Sequence, residues 1–267
     1  MRSERGDDVE QLRATAVAVV QQVGDLVVGM RAAGPGHVDT KSSITDVVTA
    51  ADTAAERLAR RLLAQWRPGE PVLGEEEGGA ATPAGDLCWV VDPIDGTVNY
   101  LYGLPWYGVS VAVQRDGQSL AAAVGQPADG RLWSAARGRG AHCDGAALRV
   151  SEATQLELSL IGTGFSYRSQ RRARQATMVA GMLPKVRDLR RAGSAALDLC
   201  SVASGWLDGF VEHGLQRWDW AAGALIAAEA GAVVRLPPPG SDLVLAAAPG
   251  IADALGELVM QCGADEV

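Results

Sequence analysis

Asp92 and Asp95 stand at the end of an apolar segment, Leu87 to Val91, and Gly96 and Thr97 follow at once. Two carboxylates this close cannot both stay ionised in a confined site unless a cation offsets them. The spacing suggests a hard divalent ion, which prefers carboxylate and carbonyl oxygen. Backbone N–H groups at a Gly-Thr turn entering a new element can hold a phosphate. Metal and phosphate side by side imply phosphoryl chemistry. Asp, Pro and Gly also make ordinary surface turns, so the motif gains its weight from two further acidic sites. Gly74-Glu75-Glu76-Glu77-Gly78 follows the strand-like Pro71-Val72-Leu73, one strand upstream of Asp92. Asp219 lies between Trp218 and Trp220 where an Ala-rich helical run opens, a position that an N-cap would also explain.

The elements that must carry these groups follow from periodicity. Leu12, Ala16, Val19, Val20, Val23, Val27 and Met30 predict a helix from Val9 to about Ala33, ended by Gly34-Pro35-Gly36. His37 to Thr45 reads as a polar connection. A second helix is expected from about Asp46 to Trp66, with Ala50, Ala54, Leu58 and Leu62 on its buried face and a Glu56–Arg60 pair. Asp52, off that stripe, reads from the pattern alone as an exposed helix-start acid. Strands are expected at Leu87–Val91, Gly108–Gln114, Ala121–Gln126, Leu132–Ala136 and Leu148–Val150. Gly138-Arg139-Gly140-Ala141 lacks a full nucleotide-loop pattern and reads as a hairpin.

Past Ser151 strands and helices alternate. Strands are expected at Leu158–Gly162, Leu207–Glu212, Val233–Leu236 and Leu243–Ala247. Helices are expected at Gln170–Leu183, Ala195–Ser204, Trp220–Ala230 and from about Ile251. The expected halves are residues 1–150, antiparallel α+β, and 151–267, layered α/β.

Four ordered segments carry a resemblance. They are Lys41-Ser42-Ser43 with Val48-Thr49-Ala50-Ala51-Asp52, then Gly74-Glu75-Glu76 leading to Trp89 through Tyr100, then Gly193 through Cys200, and lastly Glu212 through Trp218-Asp219. The chain resembles the inositol monophosphatase family of magnesium-dependent, lithium-sensitive phosphatases, in particular its actinobacterial members. The resemblance implies an α+β fold, the five-layer α-β-α-β-α sandwich of the sugar-phosphatase type.

It also implies roles. Glu75, Asp92, the carbonyl of Ile94, Asp95 and Asp219 match the ligands of two or three Mg²⁺ ions. Asp52 and Thr97 match the pair that activates the attacking water, and Glu76 lies near that water. Gly96 and Thr97 would present N–H groups to the phosphate. Gly193, Ser194, Ala195 and Glu212 would meet the hydroxyl-bearing ring of a small phosphorylated polyol. A mobile loop over the site and a homodimer are further implications, with Trp133 and Trp206 as candidate interface aromatics. Val98-Asn99-Tyr100 replaces the Thr-Asn-Phe of many relatives, keeping the Asn and an aromatic. Gly162 to Tyr167 takes a bacterial form on the leaving-group side.

Composition is ordinary for a soluble globular protein. The chain has 267 residues, 48% hydrophobic and 21% charged, with a formal net charge of −8. That charge disfavours general nucleic-acid binding. It would oppose an anionic substrate unless divalent ions reversed the local sign. The charged N-terminal residues contain no apolar signal core, and no uninterrupted apolar run reaches the roughly 18 residues of a membrane span. Four cysteines without paired spacing read as reduced thiols. A cytoplasmic location is expected. No adenine platform is evident. Arg168, Arg171, Arg172 and Arg174 form the basic cluster, read as a solvated helix start.

Overall fold

The amphipathic N-terminal stretch forms α1 (Val9–Ala33), capped by Asp8, whose carboxylate accepts from the Glu10 N–H at 3.0 Å. The computed structural model describes residues 8–34, 38–40, 47–79, 82–237, 242–264 and 267. Lys41-Ser42-Ser43, most of the connection from His37 to Thr45, and Pro238-Pro239 lie outside them. After α1 come β1 (Val38–Thr40), β2 (Val47–Thr49) and α2 (Ala50–Trp66). The second helix therefore starts at Ala50, not Asp46. Val47, Val48 and Thr49 are β-branched and pair antiparallel with β1, and Thr49 then caps α2.

The first sheet uses β3 (Val72–Gly74), β4 (Leu87–Asp95), β5 (Gly108–Arg115), β6 (Gln118–Gln126), β7 (Arg131–Ala136), β8 (Ala141–Cys143) and β9 (Ala146–Ala147) in that order. A short α3 (Thr97–Tyr102) leaves the end of β4. Gly138–Ala141 is the expected hairpin, since β7 and β8 pair antiparallel. The strand expected at Leu148–Val150 is not formed; its place is taken by β9 two residues earlier, paired with β8 across the Asp144-Gly145 turn.

The second sheet has the order β11-β10-β12-β14-β13, from β10 (Leu160–Thr163), β11 (Asp188–Arg190), β12 (Gly209–His213), β13 (Val233–Arg235) and β14 (Leu243–Ala247). Its helices are α4 (Ser169–Met182), α5 (Ala195–Ala203), α6 (Arg217–Glu229) and α7 (Ala252–Gln261). Leu156–Leu158 is a 3-10 turn, so β10 starts at Leu160 and not at the expected Leu158.

Period-two alternation sets the layers. On β4 and β5, Trp89, Val91, Val109, Val111 and Val113 face α1 and α2. Cys88, Val90 and Ala112 face the opposite way, onto α5 and α6. The same two helices cover Phe210, Val244 and Ala246 of the second sheet. Its far side, with Ile161, Val211 and Leu245, packs on α4 and α7. The result is the five-layer α-β-α-β-α sandwich. By length and composition α1 could cross a bilayer; here its apolar stripe of Leu12, Ala16, Val19, Val20, Val23 and Val27 is buried on the first sheet and α2.

Candidate active site

At the C-terminal end of β4 the strand breaks its register. Asp92 pairs with Ser110, but Asp95 pairs with Gly108, so one extra residue lies on the β4 side. Pro93 has no N–H to give to the ladder, which suits it to such a bulge. The bulge brings both Asp92 and Asp95 to one cavity, where strict alternation would have sent them to opposite faces. The Ile94 N–H closes onto Asp92 Oδ1 at 3.1 Å. Gly96 follows with φ of 97°, and a β-carbon there would lie 3.0 Å from the Gly193 carbonyl oxygen. Only glycine tolerates both conditions.

A cavity of about 120 Å³ gathers Glu75, Asp92, Ile94, Asp95, Gly96, Thr97, Gly193, Ser194, Ala195, Glu212 and Asp219. Six elements or turns supply them. Glu75 comes from the turn after β3, whose geometry is fixed from behind by Glu56. That buried carboxylate accepts from the N–H groups of Glu76 at 2.6 Å and Glu77 at 3.0 Å, and from Arg60 Nε at 2.8 Å. Asp219 occupies the first turn of α6 and accepts from the Gln216 N–H at 2.6 Å. Trp218 and Trp220 flank it, partly buried against the central core. Ser194 caps α5 and also donates to Asp95 Oδ2 at 2.6 Å, beside the Ala196 N–H at 2.6 Å. Asn99 Nδ2 donates to the carbonyls of Trp106 at 2.7 Å and Ala192 at 2.9 Å, tying the Gly193 turn to α3.

Two of the expected catalytic residues lie outside the lining. Asp52 is not the exposed acid that the helical pattern suggested; it is fully buried. The buried face of α2 is Ala51, Ala55, Ala59, Leu62 and Leu63, rotated from the Ala50–Ala54–Leu58–Leu62 stripe, and it carries Asp52 and Glu56 inward. Asp52 Oδ2 accepts from the Thr49 N–H at 2.8 Å and Thr49 Oγ1 at 2.5 Å. Its Oδ1 accepts from Thr97 Oγ1 at 3.0 Å, and the Ile94 carbonyl stands at the same distance from that hydroxyl. Thr97 thus joins a buried acid to the cavity. Glu76 is half-buried in its turn and does not line the cavity.

The site is electrostatically loaded. Burial, followed by the charges of Glu75, Asp95 and Asp219, pushes Asp92 well above the usual carboxylate range. The neighbouring Glu75 carboxylate adds to the rise at Asp92, a crowding of acids that a cation would relieve. Burial, then Asp95 and Glu75, raises Asp219 in the same way. Asp95 rises only to about 6, because the bonds from Ser194 and Ala196 oppose its burial. Burial pushes Glu212 to about 8, with Asp95 adding and Arg191 opposing. Burial also raises Asp52.

Mutual elevation of buried carboxylates is what a multivalent cation relieves. The donor set, carboxylates plus the Ile94 carbonyl, is all hard oxygen and suits Mg²⁺. It is not a finished cage, since among the described residues no three such groups are already gathered at ligand spacing.

Arg191 carried no signal in the sequence, whereas Phe165 and Asp198 fall in segments that the resemblance named without giving those two residues a role. Arg191 and Phe165 line the cavity. Asp198, buried in α5, is raised well above its ordinary value by burial and then by Glu212 and Asp95. Aromatic side chains also border an adjoining chamber, lined by Phe165, Tyr167 and Trp218 among others. Trp133, expected as an interface aromatic, is buried, donating to Ser204 Oγ at 3.0 Å; only Trp206 of that pair is exposed, at 45%.

A layered phosphatase fold with an acid-lined cavity on a bulged strand end defines the class. The chain belongs to the inositol monophosphatase family, whose pattern it matches over residues 8–262. It is 53% identical to an inositol-1-monophosphatase of Mycobacterium leprae, over 93% of each chain. The structure of Mycobacterium tuberculosis SuhB superposes with a TM-score of 0.84 at 45% identity, covering 97% of this chain and 99% of that one. The Nus factor SuhB of Escherichia coli is 37% identical over 82% of each chain. These relatives make the chain a phosphatase by family.

Proposed function

We propose that the protein is a Mg²⁺-dependent phosphomonoesterase that hydrolyses an inositol monophosphate to myo-inositol and phosphate. The observation that carries this reading is the convergence of Glu75, Asp92, Asp95 and Asp219 on one cavity, with the Thr97–Asp52 pair behind it. Glu75, Asp92, the Ile94 carbonyl, Asp95 and Asp219 would hold two or three Mg²⁺ ions. When bound, the ions supply positive charge for the phosphate oxygens and lower the pKa of water.

The chain's own groups do the rest. Thr97 Oγ1 accepts a proton from the attacking water as its own proton moves to Asp52 Oδ1. Backbone N–H groups of Gly96 and Thr97 orient the phosphate. The Gly193-Ser194-Ala195 turn and Glu212 receive the ring hydroxyls. Glu212, raised to about 8, can both donate and accept there near neutral pH. We assign Glu76 no step. A homodimer in the cytoplasm completes the proposal, with Trp206 at the subunit contact.

A second reading has an observation behind it. Phe165, Tyr167 and Trp218 border the adjoining chamber and could stack an adenine, so a phosphorylated nucleoside is the rival substrate. The non-catalytic alternative, an interaction protein on this fold, is favoured only by the Nus factor name of the Escherichia coli relative. The test is phosphate release with Mg²⁺ from inositol 1-phosphate, histidinol phosphate, 3′-phosphoadenosine 5′-phosphate and fructose 1,6-bisphosphate. The inositol ester should have the highest kcat/KM. A higher value for any other ester would displace inositol, and no release from any of them would favour the interaction protein.

A further inference from the structure

Glu56 takes no part in the steps above, yet it is a fully buried carboxylate, four residues after Asp52 on α2. Residues four apart on a helix share a face. Asp52 meets Thr97, while Glu56, one turn on, meets the turn that follows β3. One helix thus holds both the acid of the proton pair and a support for the segment that carries Glu75.

The support uses both carboxylate oxygens. Glu56 Oε2 accepts from the Glu76 N–H at 2.6 Å, and Oε1 accepts from the Glu77 N–H at 3.0 Å. Oε1 also meets Arg60, with Nε at 2.8 Å and Nη2 at 2.7 Å. Arg60 in turn donates to the carbonyl of Val72 at 3.1 Å and to that of Gly78. The chain is therefore gripped on both sides of Glu75, at Val72 before it and at Glu76, Glu77 and Gly78 after it. Gly74 leaves room for this grip, since a β-carbon there would collide with the Glu56 carboxylate. The Gly74 N–H closes onto the Gly78 carbonyl at 3.0 Å, and the Glu75 N–H onto that of Val91 at 3.3 Å. A buried charge is tolerated only where such bonds compensate it. A turn that merely faced solvent would need none of them.

Resting on the metal-dependent phosphatase reading above, we propose that Glu56 is a positioning residue for the cation site. With Arg60 it fixes the backbone around Glu75, so that the Glu75 carboxylate enters the cavity in the attitude a divalent cation requires. Glu56 is absent from the cavity wall and reaches the site only through that turn. Bonds from backbone N–H groups to an ionised carboxylate are of the strong kind. Groups that orient a metal ligand commonly change metal affinity about tenfold to a hundredfold. Glutamine at this position keeps the shape but turns an NH2 group toward one of the present donors.

The experiment measures Mg²⁺ and Mn²⁺ binding to the full chain by calorimetry, without substrate, for wild type, Glu56→Gln and Thr97→Ala. Inositol 1-phosphate hydrolysis over a Mg²⁺ series runs beside it. Glu56→Gln should weaken cation binding about tenfold or more and raise the half-saturating Mg²⁺ in parallel, with kcat largely recovered at saturating Mg²⁺. Thr97→Ala should show the reverse, wild-type cation binding with low kcat. Amide exchange in the metal-free protein gives a further readout: the Glu76 and Glu77 N–H groups should exchange slowly in wild type and faster in Glu56→Gln. If that variant does not fold, Glu56→Asp decides in its place, because it keeps the charge beside Arg60 but shortens the reach to the turn. Wild-type cation affinity in the folded variant would overturn the proposal, as would a kcat loss that no Mg²⁺ concentration relieves. Rapid exchange of both amides in wild type would overturn it too. Weakened cation binding in Glu56→Gln, beside a wild type that hydrolyses no phosphomonoester, would count against the phosphatase reading and leave Glu56 in its role.

Discussion

Replacing Glu212 by Gln should stabilise the metal-free protein increasingly as pH rises. Burial lifts Glu212 from an ordinary 4.5 to about 8. Below the unfolded value both states hold the proton and nothing is lost. As pH climbs toward 8 the unfolded chain ionises while the folded chain retains the proton, so folding stability falls through that window. At about 1.4 kcal/mol per pH unit, the rise sets a ceiling near 5 kcal/mol. Glu212 keeps some contact with cavity water, so about 2–4 kcal/mol is the expected size. Glutamine cannot titrate. The variant-minus-wild-type difference should therefore grow by that amount between pH 5 and pH 8.5, whatever constant offset the changed hydrogen bonds introduce. Urea unfolding in EDTA at half-unit pH steps measures it. A difference that stays flat across the window would show that Glu212 is not the buried, proton-holding acid described.

Other outcomes follow from the same geometry. Thr97→Ala should lower kcat by roughly a hundredfold or more with little change in KM, because it removes a positioned proton carrier and no metal ligand; a rise in KM at constant kcat would contradict that role. LiCl should inhibit phosphate release where matched NaCl does not, since a small monovalent ion among Asp92, Asp95 and Asp219 supplies less charge; equal effects of the two salts would refute the arrangement. Light scattering should return a dimer at micromolar concentration, with Trp206→Glu shifting the mass toward monomer. A monomer throughout would remove the proposed interface.

The parts of this structure that were legible in the sequence are those fixed locally. Helix α1 and strand β14 match their expected limits because uninterrupted periodicity and flanking turn residues define them. The acids of the cavity were found through motif resemblance, and the bulge at Pro93 explains why their close spacing works. What escaped depends on contacts distant in sequence. The phase of α2 is set by α1 and β4, so a run rich in alanine offered two plausible stripes and the wrong one left Asp52 outside. Trp133 looks like a surface aromatic until β7 is laid against α6 and its indole N–H meets Ser204. Arg191 reaches the cavity only because α3 and the Gly193 turn are joined through Asn99. We propose the Ser151 junction as the division between halves, with α5 and α6 shared, since both sheets pack on them.

The central claim, a divalent-metal phosphatase centred on Asp92, is tested most directly by inositol 1-phosphate hydrolysis with Mg²⁺, with EDTA, and with Asp92→Asn at saturating Mg²⁺. EDTA should abolish phosphate release and Mg²⁺ should restore it. The variant should lose at least a hundredfold, about 2.7 kcal/mol in the barrier, with its metal-free unfolding midpoint equal to or above wild type because a repelling buried carboxylate is gone. Undiminished turnover in EDTA, or near-wild-type turnover in folded Asp92→Asn, would contradict it.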